Sequence, residues 1–244
     1  MNGVDALTVR DLRSGYGSYD ILQGVSLRVG QGERVGVFGP NGHGKTTLLN
    51  TISGIVRAGA GAISFMGKDI TRADAATIVE RGLIHVPQAN LLFPAMEIQE
   101  TLELAAYTRR AREQRGASLE RVYGLFPRLK ERRTQLCRTL SGGERQMLAI
   151  GVGLMCRPNM LLLDEPTLGL SPKLKDELAA AIDSISRSGV PLLLVEQDIS
   201  FILSLVDRMY LIDHGEVAQE IVRGSEIDHQ EIMRMYFGTA QVAR

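Results

Sequence analysis

The sequence has 244 residues, 44% of them hydrophobic, with 28 basic and 28 acidic side chains and a formal net charge of zero. That is enough apolar material for one α/β domain, or for a domain carrying a sizeable insertion, and the neutral balance gives no support for nucleic acid as the main ligand. Cys137 and Cys156 are too few and too isolated for a disulfide framework or a zinc site, and the longest apolar run, Met147 to Cys156, falls well short of the roughly 18 residues that suggest a membrane span.

The first residues, Met1 to Asp5, lack a basic-then-apolar leader pattern. The expectation is a chain in a reducing cytoplasm, with any membrane role arising through a partner. Leu7–Leu12 and Ile21–Val29 alternate as strands do. Between them Tyr16 lies on a Gly15-Tyr16-Gly17 turn. It is a candidate for stacking on an adenine face and equally a half-buried structural tyrosine.

Glu33–Phe38 then reads as a buried strand and Thr47–Ile52 as a helix. Between them runs Gly39-Pro40-Asn41-Gly42-His43-Gly44-Lys45-Thr46-Thr47, in which Gly39, Gly44, Lys45 and Thr46 fit the phosphate-loop template. Glycine lets the backbone approach a phosphate closely, and successive N–H groups at a helix start form an anion cradle. Lys45 adds charge for the outer phosphates and Thr46 a hydroxyl for Mg²⁺. This stretch points to a nucleoside triphosphate. His43 occupies a variable position whose backbone N–H serves whatever the side chain, so a solvated bystander is the expectation.

Residues 59–67 read as a turn and strand, Asp74–Arg81 as a short helix, and Leu83–Pro87 as a buried strand that ends at Gln88. The segment Ala89–Pro94 is unusually apolar for a loop, which makes Leu91, Leu92 and Phe93 either buried or part of a docking surface. Helical patterns then take over to about Arg157, with helices expected over Glu97–Arg115 and Leu119–Leu129. The arginines closing the first (Arg109, Arg110, Arg112 and Arg115) read as a solvated face. Met160–Leu163 forms a buried strand ending at Asp164 and Glu165; Lys173–Ser188 reads as a helix and Pro191–Val195 as another buried strand.

Leu140-Ser141-Gly142-Gly143-Glu144-Arg145-Gln146 places a good N-cap and two glycines before a long apolar helix. Together with the phosphate loop upstream and Leu163-Asp164-Glu165-Pro166 downstream, it resembles the signature of ATP-binding cassette (ABC) ATPases. The resemblance implies an α/β fold: a RecA-like P-loop NTPase core with an N-terminal antiparallel β-subdomain and an inserted α-helical subdomain. In this division residues 1–88 and 158–244 form the core and β-subdomain, and 89–157 the helical subdomain. It also implies ATP and Mg²⁺ as cofactors. Thr46, Gln88 and, through water, Asp164 would hold the metal, and Glu165 would be the general base. Ser141, Gly142 and Gly143 would cover the γ-phosphate held by a second subunit, with Leu168-Gly169-Leu170-Ser171-Pro172 crossing the seam.

Most ABC ATPases carry a histidine two residues after the last of these strands; this chain has Gln197, able to donate an amide N–H but not to titrate. Val195-Glu196-Gln197, the seam loop, the run Val122–Arg133 and Met235-Tyr236-Phe237-Gly238 resemble one branch, the import ATPases for branched-chain amino acids and relatives serving urea, amides or aromatic acids. The implied partners are a second ABC ATPase, as a heterodimer by the usage of that branch or alternatively a homodimer, membrane permease subunits and, indirectly, a solute-binding protein. The implied location is the inner face of the cell membrane. Competing readings are a soluble ABC protein of assembly or repair and a low-turnover regulatory subunit.

Overall fold

The structure, a computed structural model, describes residues 4–88 and 92–223. In chain order it contains β1 (Leu7–Tyr16), β2 (Tyr19–Val29), β3 (Arg34–Phe38), α1 (Lys45–Ile52), β4 (Ala58–Phe65), β5 (Lys68–Asp69), α2 (Ala75–Glu80) and β6 (Leu83–Val86). The helices α3 (Ile98–Ala105), α4 (Arg109–Arg112), α5 (Arg115–Leu125), α6 (Pro127–Glu131) and α7 (Gly142–Met155) follow. The chain then returns to alternation with β7 (Met160–Asp164), α8 (Pro172–Arg187), β8 (Leu192–Val195), α9 (Ile199–Leu205), β9 (Arg208–Asp213) and β10 (Glu216–Val222).

Two sheets result. The first is antiparallel, in the order β2-β1-β4-β5; the second runs β10-β9-β3-β8-β7-β6, parallel except for β10. The apolar runs of β6, β7 and β8 follow from burial on both faces of the second sheet. Ile84, Val86, Leu161, Leu163, Leu192 and Leu194 pack toward the core that contains residues of α3 to α9. Their alternates Leu83, Met160, Leu162, Leu193 and Val195 join β1, β2 and α1 on the other side. Because Val37 and Asp164 both pair with Val195, and Val86 with Leu163, the carboxyl ends of four parallel strands finish nearly level. Ligands of open parallel sheets sit at such an edge.

Both long helices expected between β6 and β7 are broken. The first stops at Ala106 (ψ 43°) and restarts at Thr108, whose side chain accepts the Ala111 N–H. The second breaks at Phe126, held at φ −128°, ψ 73° ahead of Pro127. Proline disfavours a helical conformation in the residue before it and fits the first turn of the next helix. Tyr16 is the last residue of β1, paired with Tyr19, rather than a turn residue. Leu92 is partly buried against the core while Phe93 is 56% exposed; Leu91 and Met235–Gly238 lie outside the described residues.

Candidate functional site

The phosphate loop leaves β3 at Gly39, where φ is 149° and a Cβ would lie 2.0 Å from the Ile212 carbonyl oxygen. Only glycine lets the loop pass this close to β9. Gly42, at φ 82°, faces open space. The loop enters α1 through Gly44, and α1 has neither a side-chain cap nor an acidic residue in its first turn. Its opening N–H groups are therefore left for an anion.

Four strand ends converge on this loop. Asn41, Gly42, Gly44, Lys45, Thr46 and Thr47 line a cavity of about 320 Å³ together with Gln88, Glu165 and Gln197. Lys45 is 5% exposed, and its Nζ donates to the carbonyls of Gly39 (2.7 Å) and Pro40 (2.9 Å). Burial holds its pKa below the ordinary lysine value, partly opposed by the charges of Glu165 and Asp164. Asp164 is 1% exposed; the Thr46 hydroxyl donates to its Oδ1 at 3.4 Å, while Oδ2 is buried without a partner among the described residues. Burial pushes the Asp164 carboxyl up to about 6, with the neighbouring Glu165 adding and Thr46 and Lys45 opposing. A buried carboxylate oxygen without a partner is costly, and a hard cation between Thr46 and Asp164 would satisfy it. The residues present fit Mg²⁺.

Glu165 sits just beyond β7 with φ 45°, a left-handed conformation that costs a non-glycine residue on the order of 1 kcal/mol. Its N–H bonds to the Val195 carbonyl at 2.9 Å. Both carboxylate oxygens are occupied: Gln88 Nε2 donates to one at 2.8 Å and Gln197 Nε2 to the other at 2.5 Å. Glu196 was absent from the sequence-based site. It is 2% exposed and accepts the N–H groups of Thr167 (2.8 Å) and Gln197 (3.1 Å), tying the seam loop to the Gln197 turn. Burial raises its pKa, against those same hydrogen bonds. The signal available was a carboxylate directly after four buried apolar residues.

Tyr16, the candidate for stacking on adenine, is 51% exposed and outside the lining of the phosphate cavity, with its hydroxyl 3.4 Å from Asn50 Nδ2 on α1. One expectation about an individual residue needs correction. His43 is no solvated bystander: its side chain is 13% exposed, with Nδ1 2.8 Å from Asp213 Oδ1. The β9 carboxylate reaches back to the loop, an attraction that nothing local in the sequence reveals.

Ser141, Gly142 and Gly143 begin α7. Ser141 Oγ accepts the Glu144 N–H, and Glu144 Oε2 accepts the Ser141 N–H at 2.9 Å, a reciprocal capping box. Arg132 pairs with Glu144 at 2.6 Å. Ser141 and Gly142 are exposed and Gly143 is buried. The adjoining cavity shares no lining residue with the phosphate cavity. One chain thus carries the loop and the serine-glycine turn at separate places. A further, largely apolar groove of about 330 Å³ lies between β6 and α7, lined by residues including Leu92, Tyr107, Val152 and Cys156.

A glycine-rich loop between a buried parallel strand and a helix, facing a Mg²⁺-compatible aspartate on a neighbouring strand, defines a P-loop nucleoside triphosphatase. The ABC transporter family profile matches residues 22–168. The chain is 36% identical to the high-affinity branched-chain amino acid transport ATP-binding protein BraG of Pseudomonas aeruginosa, over 91% of this chain and 95% of that one. It is 33% identical to the probable branched-chain amino acid transport ATP-binding protein LivF of Archaeoglobus fulgidus, over 93% and 96% of the two chains. The fold superposes with TM-score 0.83 on the ADP conformation of an ABC transporter ATP-binding cassette, at 23% identity, covering 99% of this chain and 100% of that one. The protein belongs to the ABC transporter family and is an ABC-type ATPase.

Proposed function

We propose that the chain is the ATP-hydrolysing subunit of an importer for branched-chain amino acids or related small solutes. The observation that carries the catalytic part is the convergence of Lys45, Thr46, Gln88, Asp164, Glu165 and Gln197 on one cavity. The names of the relatives at 36% and 33% identity support the solute class.

In this reading the amides of residues 39–47 and Lys45 hold the phosphates, and Tyr16 offers an exposed ring for adenine. Thr46, Gln88 and Asp164 hold Mg²⁺, which when bound would neutralise charge on the outer phosphate oxygens. Glu165 orients the attacking water. Its carboxylate accepts one hydrogen bond on each oxygen, from the Gln88 and Gln197 amides, which orients it and leaves a lone pair on each oxygen for the proton of the water. Gln197 replaces a titratable histidine with a neutral donor.

Ser141, Gly142 and Gly143 complete the site of a second ABC subunit, most simply in a heterodimer, supplying preorganised donors to the γ-phosphate. The exposure of Ser141 and Gly142 supports this role. No described helix is long and apolar enough to cross a membrane, and permease subunits supply the passage. Their cytoplasmic helix docks in the β6–α7 groove beside Leu92 and Phe93, placing the chain on the inner membrane face. Gln88 lies two residues beyond the end of β6, so movement at the groove reaches Glu165 through one short segment.

Phosphate release by the wild type and by Glu165→Gln tests the reading. Turnover is expected to fall by about 10²–10⁴-fold with ATP binding retained; equal rates would remove Glu165 from the chemistry. Co-purification with an integral membrane protein tests the transport assignment separately.

A further inference from the structure

Outside the phosphate cavity, three ligating side chains meet where the loop crosses the β9–β10 turn. His43, Asp213 and His214 each offer a ligating atom, and the three atoms lie within 4.8 Å of one another. His43 Nδ1 is 2.8 Å and His214 Nε2 3.8 Å from Asp213 Oδ1, and the imidazole rings stack with centroids 4.4 Å apart. The backbones carrying them are tied together: Gly215 N–H donates to the His43 carbonyl at 3.2 Å, and Gln23 N–H to the Gly215 carbonyl at 2.8 Å.

His43 Nδ1 is contacted from two sides that make opposite demands. The Asp213 carboxylate at 2.8 Å requires it to donate, while the His214 backbone N–H at 3.1 Å requires it to accept. A neutral imidazole nitrogen does one or the other. With Nδ1 unprotonated, its lone pair and the Asp213 carboxylate face each other, and a cation there would take that lone pair in place of the His214 N–H. We propose that His43, Asp213 and His214 bind a divalent transition-metal ion of the zinc class, apart from the Mg²⁺ position at Thr46 and Asp164.

Zinc bonds of about 2.0–2.1 Å in a tetrahedron put ligand atoms roughly 3.3 Å apart, and the distances of 2.8 and 3.8 Å fall on either side. The His214 side chain is 70% exposed and has room to adjust. Two imidazoles and one carboxylate select zinc, nickel or copper over Mg²⁺ or Ca²⁺, which prefer oxygen. Three protein ligands leave one coordination position for water. The bound ion fastens the crown of the phosphate loop to the β9–β10 turn.

The test is calorimetric titration of the full chain with Zn²⁺, free of nucleotide and Mg²⁺, with Co²⁺ absorption as a report on tetrahedral nitrogen-oxygen ligation. One ion per chain is expected, resistant to a large excess of Mg²⁺. His214→Asn keeps a residue that tolerates the left-handed backbone (φ 46°) at this position and is expected to weaken binding by at least about tenfold, with the metal-free melting temperature unchanged. Asp213→Ala is expected to weaken it similarly, whereas Glu165→Gln binds Zn²⁺ as the wild type does. Absence of Zn²⁺ binding by the wild type, or unchanged affinity in both His214→Asn and Asp213→Ala, would overturn the site. Neither result bears on ATP hydrolysis.

Discussion

The phosphate loop and the start of α7 are both glycine-containing entries to helices, yet they are physically opposite. Around the loop, Lys45, Asp164 and Glu165 are 5%, 1% and 7% exposed, one carboxylate oxygen has no partner among the described residues, and Glu165 is held in a left-handed backbone. At α7, Ser141 and Gly142 stand in solvent, and the cap is closed by Glu144 and braced by Arg132. The first region carries unfavourable burial that a phosphate-bound cation would relieve; the second is already satisfied and merely accessible. A ligand is demanded at one place and permitted at the other.

The sharpest break of this contrast is Asp164→Asn. Mg²⁺-dependent turnover is expected to drop on the order of 10²-fold, since a neutral amide cannot replace the charge; phosphate release at saturating ATP measures it. The wild-type pH response follows from the same group. Asp164 titrates near 6 when folded and near its ordinary carboxylate value when unfolded. The folded chain therefore takes up this proton first as pH falls, and this residue's contribution to metal-free stability rises from pH 7 toward 4. Mg²⁺ binding moves the other way, weakening below about pH 6. Denaturation midpoints of wild type and Asp164→Asn across that window, with and without Mg²⁺, should differ in slope. Parallel curves would mean Asp164 is not the strained group.

A charge in the groove at the other side of α7 comes next. Leu92→Asp is expected to abolish most transport in reconstituted vesicles while basal hydrolysis persists; surviving transport would move the docking surface elsewhere. Ser141→Ala separates cap from ligand contact. As a cap alone, Ser141 contributes about 1 kcal/mol to stability, visible as a lower melting temperature with unchanged turnover. As a contact to a second subunit's nucleotide, its loss also lowers turnover per dimer without changing ATP affinity at the chain's own loop. Tyr16→Ala is the smallest. An aromatic stack of about 0.5–1.5 kcal/mol limits the loss of ATP affinity to roughly tenfold, and Tyr16→Phe should bind as wild type. Fluorescent-nucleotide titration distinguishes them, and equal affinity in all three would leave Tyr16 a strand-end residue.

Much of this was legible in the chain. The buried strands before Gly39, Gln88, Asp164 and Glu196 announce themselves as short apolar runs, because a parallel sheet covered on both faces tolerates little else. The phosphate loop and the α7 cap are local, fixed by glycine backbone freedom and by a serine three residues ahead of a glutamate. Local sequence also signalled helix between Glu97 and Leu129. The breaks at Ala106–Thr108 and Phe126 depended on capping and on Pro127, details weaker than the apolar pattern that runs across them.

Only the tertiary structure decided which distant groups meet. Level strand ends bring Gln88 and Gln197 onto the two oxygens of Glu165, residues 77 and 32 positions away. The crossing of β9 behind the loop converts His43 from a variable loop residue into a partner of Asp213, 170 positions on. Periodicity and turn chemistry act over a few residues and so survive in the sequence. Charge pairing, burial of Asp164 and the occupied oxygens of Glu165 arise from strand order, which no local run of residues encodes.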